Sequence, residues 1–439
     1  MISGVALHGQ PNQRISTASS HHVSAQSTLN TMPKFSLRAH KAALTCIAHH
    51  LGTIVSSDRD GWIIIWNITS RRPMALWKAH EGHILTLKLT PLGLMSHGRD
   101  SMIRIWNVAH NELERCSKNG SDISPVGSSP AAGLPKPPHA EIPVNALNFC
   151  NIDFFDGLLI TPATVNSENF DLYKVSDPFG EFNFERLLHN VSPLDIQKSE
   201  SLVEEIDNVS GTDKRSGHGI VMQTLFVNQN LFFVGYESGA VYGFRIKHAN
   251  IDKSSEGERL VVFLDYNLRV VFSLLDHKPL PVLSLALDQT THVLYTGSAS
   301  KQLISYDIGH LTGQMRTGKE DDLMKKSSHN LRHYGIQCIQ ITNNIVLTGF
   351  WDGVIKGYTR DLEEVVRLER KEEYIKPEGD EELSKPAKRS LCMEFWVPEN
   401  DAPTSMSRKA RLRRAVVGQE SILFVGFGDG LISAFEGMS

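Results

Sequence analysis

Apolar, β-branched and aromatic residues fall along this chain in runs of about four to eight, each closed by a short polar or glycine-bearing turn. The first cycle is Leu44–Ala48, Thr53–Ser57 and Trp62–Ile68. Runs of this length, rich in Ile, Val, Thr and Trp, are too short for amphipathic helices and read as strands. No stretch of the chain carries a sustained helical stripe.

The cycle repeats. Leu37-Arg38-Ala39-His40, then Ser56-Ser57-Asp58-Arg59-Asp60, then Ile63-Ile64-Ile65-Trp66-Asn67 is followed 40 residues later by a matching series. That series is Trp77-Lys78-Ala79-His80, Ser96-His97-Gly98-Arg99-Asp100 and Ile103-Arg104-Ile105-Trp106-Asn107. A His, a Ser, a turn Asp and a Trp recurring in register at this period are the pattern of WD repeats, with Asn replacing the last Asp. Each repeat builds one small sheet that cannot bury both faces alone, so repeats stack radially as propeller blades. The recurring polar residues then predict a structural string in each blade: His40, Ser56, Asp60 and Trp66 in one, His80, Ser96, Asp100 and Trp106 in the next. The turn carboxylate holds the imidazole, the imidazole meets the hydroxyl, and the hydroxyl accepts the indole N–H.

Five weaker units follow. The third is Val144–Cys150, Gly157–Pro162 and Phe170–Val175; the fourth is Val221–Val227, Leu231–Glu237 and Ala240–Ile246. The fifth is Val282–Leu287, Val293–Ser298 and Leu303–Ile308; the sixth is Ile336–Ile341, Ile345–Phe350 and Val354–Tyr358. The seventh is Leu391–Val397, Ile422–Gly428 and Leu431–Phe435. Phe244, Tyr306, Tyr358 and Phe435 replace the Trp, which predicts more reliance on aromatic packing there. The last unit lacks a fourth strand, while Lys34–Arg38 is an unassigned β-run. Pairing it with Leu431–Phe435 closes the ring and removes its open edge. The expectation is an all-β, seven-bladed WD-repeat β-propeller closed by an N-terminal strand; an eighth blade would need strands the chain does not offer.

Seven units of about 42 residues leave roughly 145 of the 439 residues over. Residues 1–32 are Ser/Thr/Gln/His-rich and are expected to be a disordered extension, with one propeller over 33–439. Insertions are expected at about 117–140, 193–216, 247–258, 311–330, 371–389 and 398–418, where composition turns polar, charged or Pro/Ser-rich. Trp62, Trp77 and Trp396 are assigned to packing.

Charge is nearly balanced, with 45 Lys+Arg against 49 Asp+Glu and a net of −4, which argues against general nucleic-acid binding. The five Cys, 46, 116, 150, 338 and 392, show no metal-ligand or CxxC spacing and read as reduced thiols of an intracellular protein. No apolar run suits a signal peptide or a membrane span, so no membrane partner is expected.

Catalytic motifs are missing: no GxxxxGK[ST], no HExxH, no GxSxG. Gly426-Phe427-Gly428-Asp429-Gly430 runs into a β-run and so reads as a strand turn, without the helix N-terminus a phosphate loop requires. No enzyme activity, cofactor or metal is therefore expected; His21-His22 is the nearest thing to a metal pair. Arg59, Arg99 and Trp351 precede turn positions on the loop face and are the candidate partner-binding residues, since Arg and Trp dominate interface hot spots. Arg408, Lys409, Arg411, Arg413 and Arg414 form the one concentrated basic run and are the candidate nuclear-import residues.

From Lys34 to Glu436 the chain resembles the fungal ASTRA-associated WD-repeat family, itself similar to Gβ-like proteins. The resemblance is carried by FSLRAHKAALTCIAHH, SSDRDGWIIIWN, WKAHEGHILTLK, GFWDGVIKGY and FVGFGDGLISAFE. It implies a nuclear scaffold subunit, with cytoplasm as a second location, in a complex linked to chromatin regulation. The implied partners are a giant phosphatidylinositol-kinase-like protein, its co-chaperones and RuvB-like ATPases, with no direct nucleic-acid contact. Two alternatives stay open. A Gβ-like signalling adaptor would need an N-terminal helix, against which Gly4, Gly9 and Pro11 argue. A propeller enzyme would need carboxylates or metal ligands converging in the central channel.

Overall fold

The computed structural model describes residues 29–50, 53–107, 138–145, 149–177, 181–200, 217–248, 266–313, 325–342, 345–368, 370, 389–397 and 421–436. Its 29 strands in chain order make seven sheets, antiparallel throughout except for one parallel edge strand. The first sheet is β3 (Leu44–His50), β4 (Thr53–Asp58), β5 (Trp62–Asn67) and β6 (Arg72–Lys78). The second is β7 (Ile84–Thr90), β8 (Gly93–Gly98), β9 (Met102–Trp106) and β10 (Ala140–Pro143). The third is β11 (Asp153–Phe155), β12 (Leu158–Pro162), β13 (Phe170–Ser176) and β14 (Asn183–Val191). The fourth is β15 (Val221–Asn228), β16 (Leu231–Tyr236), β17 (Val241–His248) and β18 (Tyr266–Leu274). The fifth is β19 (Val282–Asp288), β20 (Val293–Ser298), β21 (Gln302–Asp307) and β22 (Lys326–Asn330). The sixth is β23 (Ile336–Ile341), β24 (Val346–Phe350), β25 (Ile355–Tyr358) and β26 (Glu364–Leu368), joined by β1 (Leu29–Thr31). The seventh is β27 (Ser390–Trp396), β28 (Ile422–Phe427), β29 (Leu431–Glu436) and β2 (Phe35–Arg38).

The innermost strands touch in the cycle β3, β7, β11, β15, β19, β23, β27 and back to β3, which closes a ring of seven blades. The closure is the one the chain ends predict. β2 runs antiparallel to β29 with Phe35 opposite Ala434 and Arg38 opposite Leu431, so the first strand completes the last blade. Leu37 is 1% exposed and packs with Ile432, Ala434 and Ile47, which ties the strand into the joint between the seventh and first blades.

Apolar burial explains why the blades need one another. The described core divides into seven packets, each formed where two neighbouring blades face. In the first-to-second packet the Trp77 ring meets Trp106 edge-on at 5.6 Å. In the third-to-fourth packet Phe244 stacks on Phe232 at 5.3 Å and meets Phe170 at 5.0 Å, the aromatic packing expected where the Trp is lost.

Four expectations need correction. The third blade's inner strand is β11, not Val144–Cys150. β10 pairs with β9 and fills the outer place of the second blade, so Val144, Asn145, Phe149 and Cys150 lie between blades and not in an inner strand. Cys150 still packs in the core, at 0% exposure, which is why the segment looked like a strand. Residues 29–31, expected within a disordered extension, form β1, which pairs parallel to β26 with Leu29 opposite Val366. The insertion expected at 311–330 ends in β22, which pairs with β21 as the fifth blade's outer strand, while that at 193–216 opens with a short helix, α1 (Pro193–Glu200).

Candidate protein-interaction face

The string that positions the loop face exists in the first two blades, with one substitution of partner. In the second blade Trp106 Nε1 donates to Ser96 Oγ at 2.8 Å, His80 Nε2 lies 2.7 Å from the same oxygen, and His80 Nδ1 is 2.8 Å from Asp100 Oδ1. In the first blade Trp66 Nε1 donates to Ser56 Oγ at 2.7 Å and His40 Nε2 stands 2.7 Å from it. His40 Nδ1, however, meets Asp58 Oδ2 at 2.7 Å. Asp60, the expected partner, is exposed, and its backbone N–H donates to Asp58 Oδ1 at 3.0 Å. Asp58 ends a buried strand beside His40, whereas Asp60 sits out on the turn. In the second blade that strand position is Gly98, where a Cβ would stand 2.3 Å from the His80 ring. The imidazole occupies that room and reaches on to Asp100.

The remaining blades keep fragments of this arrangement. His277 Nε2 lies 2.7 Å from Thr296 Oγ1, and Tyr306 OH donates to Asp276 Oδ2 at 2.9 Å. His333 Nδ1 is 2.7 Å from Asp352 Oδ2. Each ties the crossing from the previous blade to its own blade's second strand (Thr296), third strand (Tyr306) or the turn between them (Asp352). These turns and crossings together form one face of the ring, here called the upper face.

A backbone hydrogen bond repeats around this face. Arg59 N–H donates to Ala43 O at 2.9 Å, Arg99 to His83 O at 2.9 Å, Glu237 to Ile220 O at 3.0 Å and Trp351 to Gly335 O at 3.2 Å. Arg59 and Arg99 therefore hold equivalent rim positions on adjacent blades, and both are exposed. Trp351 is half-buried: its ring covers Gly335, where a Cβ would approach within 2.1 Å, and Nε1 donates to Gln337 Oε1 at 2.8 Å. A side chain at Gly335, whose φ is +69°, would be both strained and in collision with the indole.

Sequence reasoning missed the aromatic companions of these residues. The Arg99 guanidinium lies 4.5 Å above the Phe149 ring, Lys301 Nζ 4.3 Å above Tyr334 and the Arg389 guanidinium 5.7 Å above Trp351. Phe149 and Tyr334 are 51% and 61% exposed. Of the eight large apolar residues exposed among the described ones, Trp62, Phe149, Val165, Leu275, Leu280 and Tyr334 all lie at upper-face loops. Trp62, expected to pack between blades, is thus a surface residue, while Trp77 and Trp396 are buried as expected. Isolated exposed apolar groups are ordinary; their bias to one face of a ring is what marks a contact surface.

The inner strands carry a bulge near their upper ends in six blades, as between Leu44 and Cys46, Ile84 and Thr86, or Ser390 and Cys392. The bulged residues Thr45, Leu85, Met222, Leu283, Gln337 and Leu391 turn into the axis and line a cavity of about 380 Å³, with His83 and Phe149 also on its wall. Burial lowers the His83 pKa to about 4, aided by repulsion from Arg59 and Arg99. Apart from the His83 imidazole and the Cys338 thiol the lining is neutral amide, hydroxyl and apolar, and among the described residues no three His, Cys, Asp or Glu cluster as metal ligands. No helix among them is long and apolar enough to cross a membrane. Arg408, Lys409, Arg411, Arg413 and Arg414 lie outside the described residues, as do Cys116 and His21-His22.

Comparison with known proteins agrees with this architecture. The family model of ASTRA-associated protein 1 matches residues 33–435. An ASTRA-associated protein 1 of Clavispora lusitaniae is 38% identical over 408 residues, covering 91% of this chain and 95% of its own length. That of Debaryomyces hansenii is 30% identical over 472 residues, covering 91% and 98%. Among solved structures, Saccharomyces cerevisiae Sqt1 superposes with a TM-score of 0.51 at 10% identity, covering 94% of this chain and 100% of that one. That likeness speaks for the propeller fold alone.

Proposed function

Because the chain belongs to the ASTRA-associated protein 1 family, we propose that it is a non-enzymatic scaffold subunit of an ASTRA-type nuclear complex. In that complex it would link a phosphatidylinositol-kinase-like protein with its co-chaperones and RuvB-like ATPases, in the service of chromatin regulation. The observation that carries a scaffold role is the upper face, where exposed apolar and cationic side chains gather on a rim fixed by repeated backbone hydrogen bonds. A closed ring is rigid and offers several partners fixed relative positions. The test is affinity purification at endogenous level with mass spectrometry. Recovery of a kinase-like protein and co-chaperones is expected; recovery of neither overturns the assignment. Nuclear location is proposed to depend on the basic run, and a fusion of residues 405–415 to a reporter should concentrate in the nucleus. A reporter that stays evenly distributed would refute that dependence.

A further inference from the structure

Resting on that reading, we infer that the upper face over the first three blades binds an acidic segment of a partner protein, with Arg59 and Arg99 taking its carboxylates and Phe149 an adjoining apolar side chain. The two arginines occupy equivalent positions on neighbouring blades, clamped by equal backbone hydrogen bonds of 2.9 Å. His83 stands between them: its carbonyl accepts the Arg99 N–H at 2.9 Å, and its imidazole is held below its ordinary pKa by burial and then by both arginines. Neither has a carboxylate partner among the described residues, unlike Arg104, which is held by Asp100 and Glu141.

Stacking prepares Arg99 for this role. The Phe149 ring under the guanidinium, 4.5 Å from it, restrains an otherwise long and flexible side chain, so less freedom is lost when its N–H groups take a carboxylate. The local balance is positive. Lys41, Arg59 and Arg99 are exposed here, while Asp100 is engaged by His80 and Arg104 and Glu81 by Lys78 at 3.3 Å. Asp60 on the first blade and Glu168 on the turn of the third are the opposing carboxylates, which favours ligands whose charges fall beside the arginines.

A nucleic acid fits less well. A single strand is held by a cationic groove with successive stacking rings, whereas Phe149 stands before the third blade and Tyr334 and Trp351 at the sixth. The net charge of −4 also gives no wide field for a polyanion.

The experiment uses the full-length chain and fluorescence anisotropy with three labelled probes: a short Phe-centred Glu-rich peptide, its Lys-rich counterpart and an oligouridine. The Glu-rich peptide should bind at least about tenfold more tightly than the other two, and raising salt from about 50 to about 300 mM should weaken it severalfold. Double charge reversal, Arg59→Glu with Arg99→Glu, should abolish binding with little change in melting temperature, because both side chains are exposed. Lys174→Glu, on an exposed position of the third blade away from the rim, should leave binding unchanged. Equal binding of the Glu-rich and Lys-rich peptides, undiminished binding by the double reversal, or tighter binding of oligouridine overturns the inference. Wild-type recovery of the kinase-like partner without Glu-peptide binding would leave the scaffold assignment standing and sink this inference alone. Peptide binding without that recovery would do the reverse.

Discussion

His40 Nδ1 stands 2.7 Å from Asp58 Oδ2, while the homologous imidazole of the next blade, His80, reaches 2.8 Å to Asp100. Two blades whose His, Ser, Arg-Asp turn and Trp recur in register thus anchor the same imidazole on carboxylates two positions apart. Asp58 also accepts the backbone N–H groups of Asp60 and Trp62, each at 3.0 Å, so one buried carboxylate organises the whole turn. Replacing Asp58 by Ala leaves the imidazole and both amides without partners and should cost about 1–3 kcal/mol. Asp60→Ala should stay within about 0.5 kcal/mol. Denaturant unfolding of the two variants checks the order; equal losses would return the role to Asp60.

Leu37 holds the closing strand in the core. Leu37→Ala should cost about 2–5 kcal/mol, the range for a buried leucine truncated to alanine. The loss should appear as earlier thermal unfolding together with easier proteolysis near residue 38, because β2 then frays from β29. A variant as stable as the parent would mean that ring closure does not depend on this strand.

His97 is fully buried in the second blade, and neither ring nitrogen has a hydrogen-bond partner. Burial, with a smaller push from His80, lowers its pKa to about 3. The folded state therefore keeps it neutral while the unfolded chain takes up a proton below about pH 6.5. Its contribution is present above that value and is lost as pH falls toward 3. His97→Met removes this loss and should gain about 2 kcal/mol on the wild type at pH 5 relative to their difference at pH 8. Urea titrations at the two pH values measure it; parallel behaviour of the two proteins would contradict the burial of a neutral imidazole.

Burial raises the Cys46 thiol to about 11 and the Cys338 thiol to about 12, with Cys150 and Cys392 also pushed up. At pH 8 the thiolate fraction of Cys46 is then on the order of one in a thousand. Native protein treated with iodoacetamide should show these four cysteines unmodified by mass spectrometry, and denaturant should make them react. Rapid native labelling of Cys150, the fully buried thiol of the four, would show that its blade opens.

The sequence by itself determined the number of blades, their closure, the string of the second blade and all of the first blade's but its carboxylate. Strand periodicity is local, and the polar set recurs in register because each blade solves the same burial problem. It also marked Arg59, Arg99 and Trp351 as rim positions, because the turn that carries them repeats. Tertiary structure decided the rest. Asp58 displaced Asp60 because burial beside His40, not turn identity, sets which carboxylate is within reach. Val144 and Cys150 came to lie between blades because β10 had first to fill the second blade's outer place. Trp62 came to the surface although its composition reads as core. The pairing of Arg99 with Phe149 joins residues 50 positions apart, and only stacking one blade against the next brings that guanidinium over that ring.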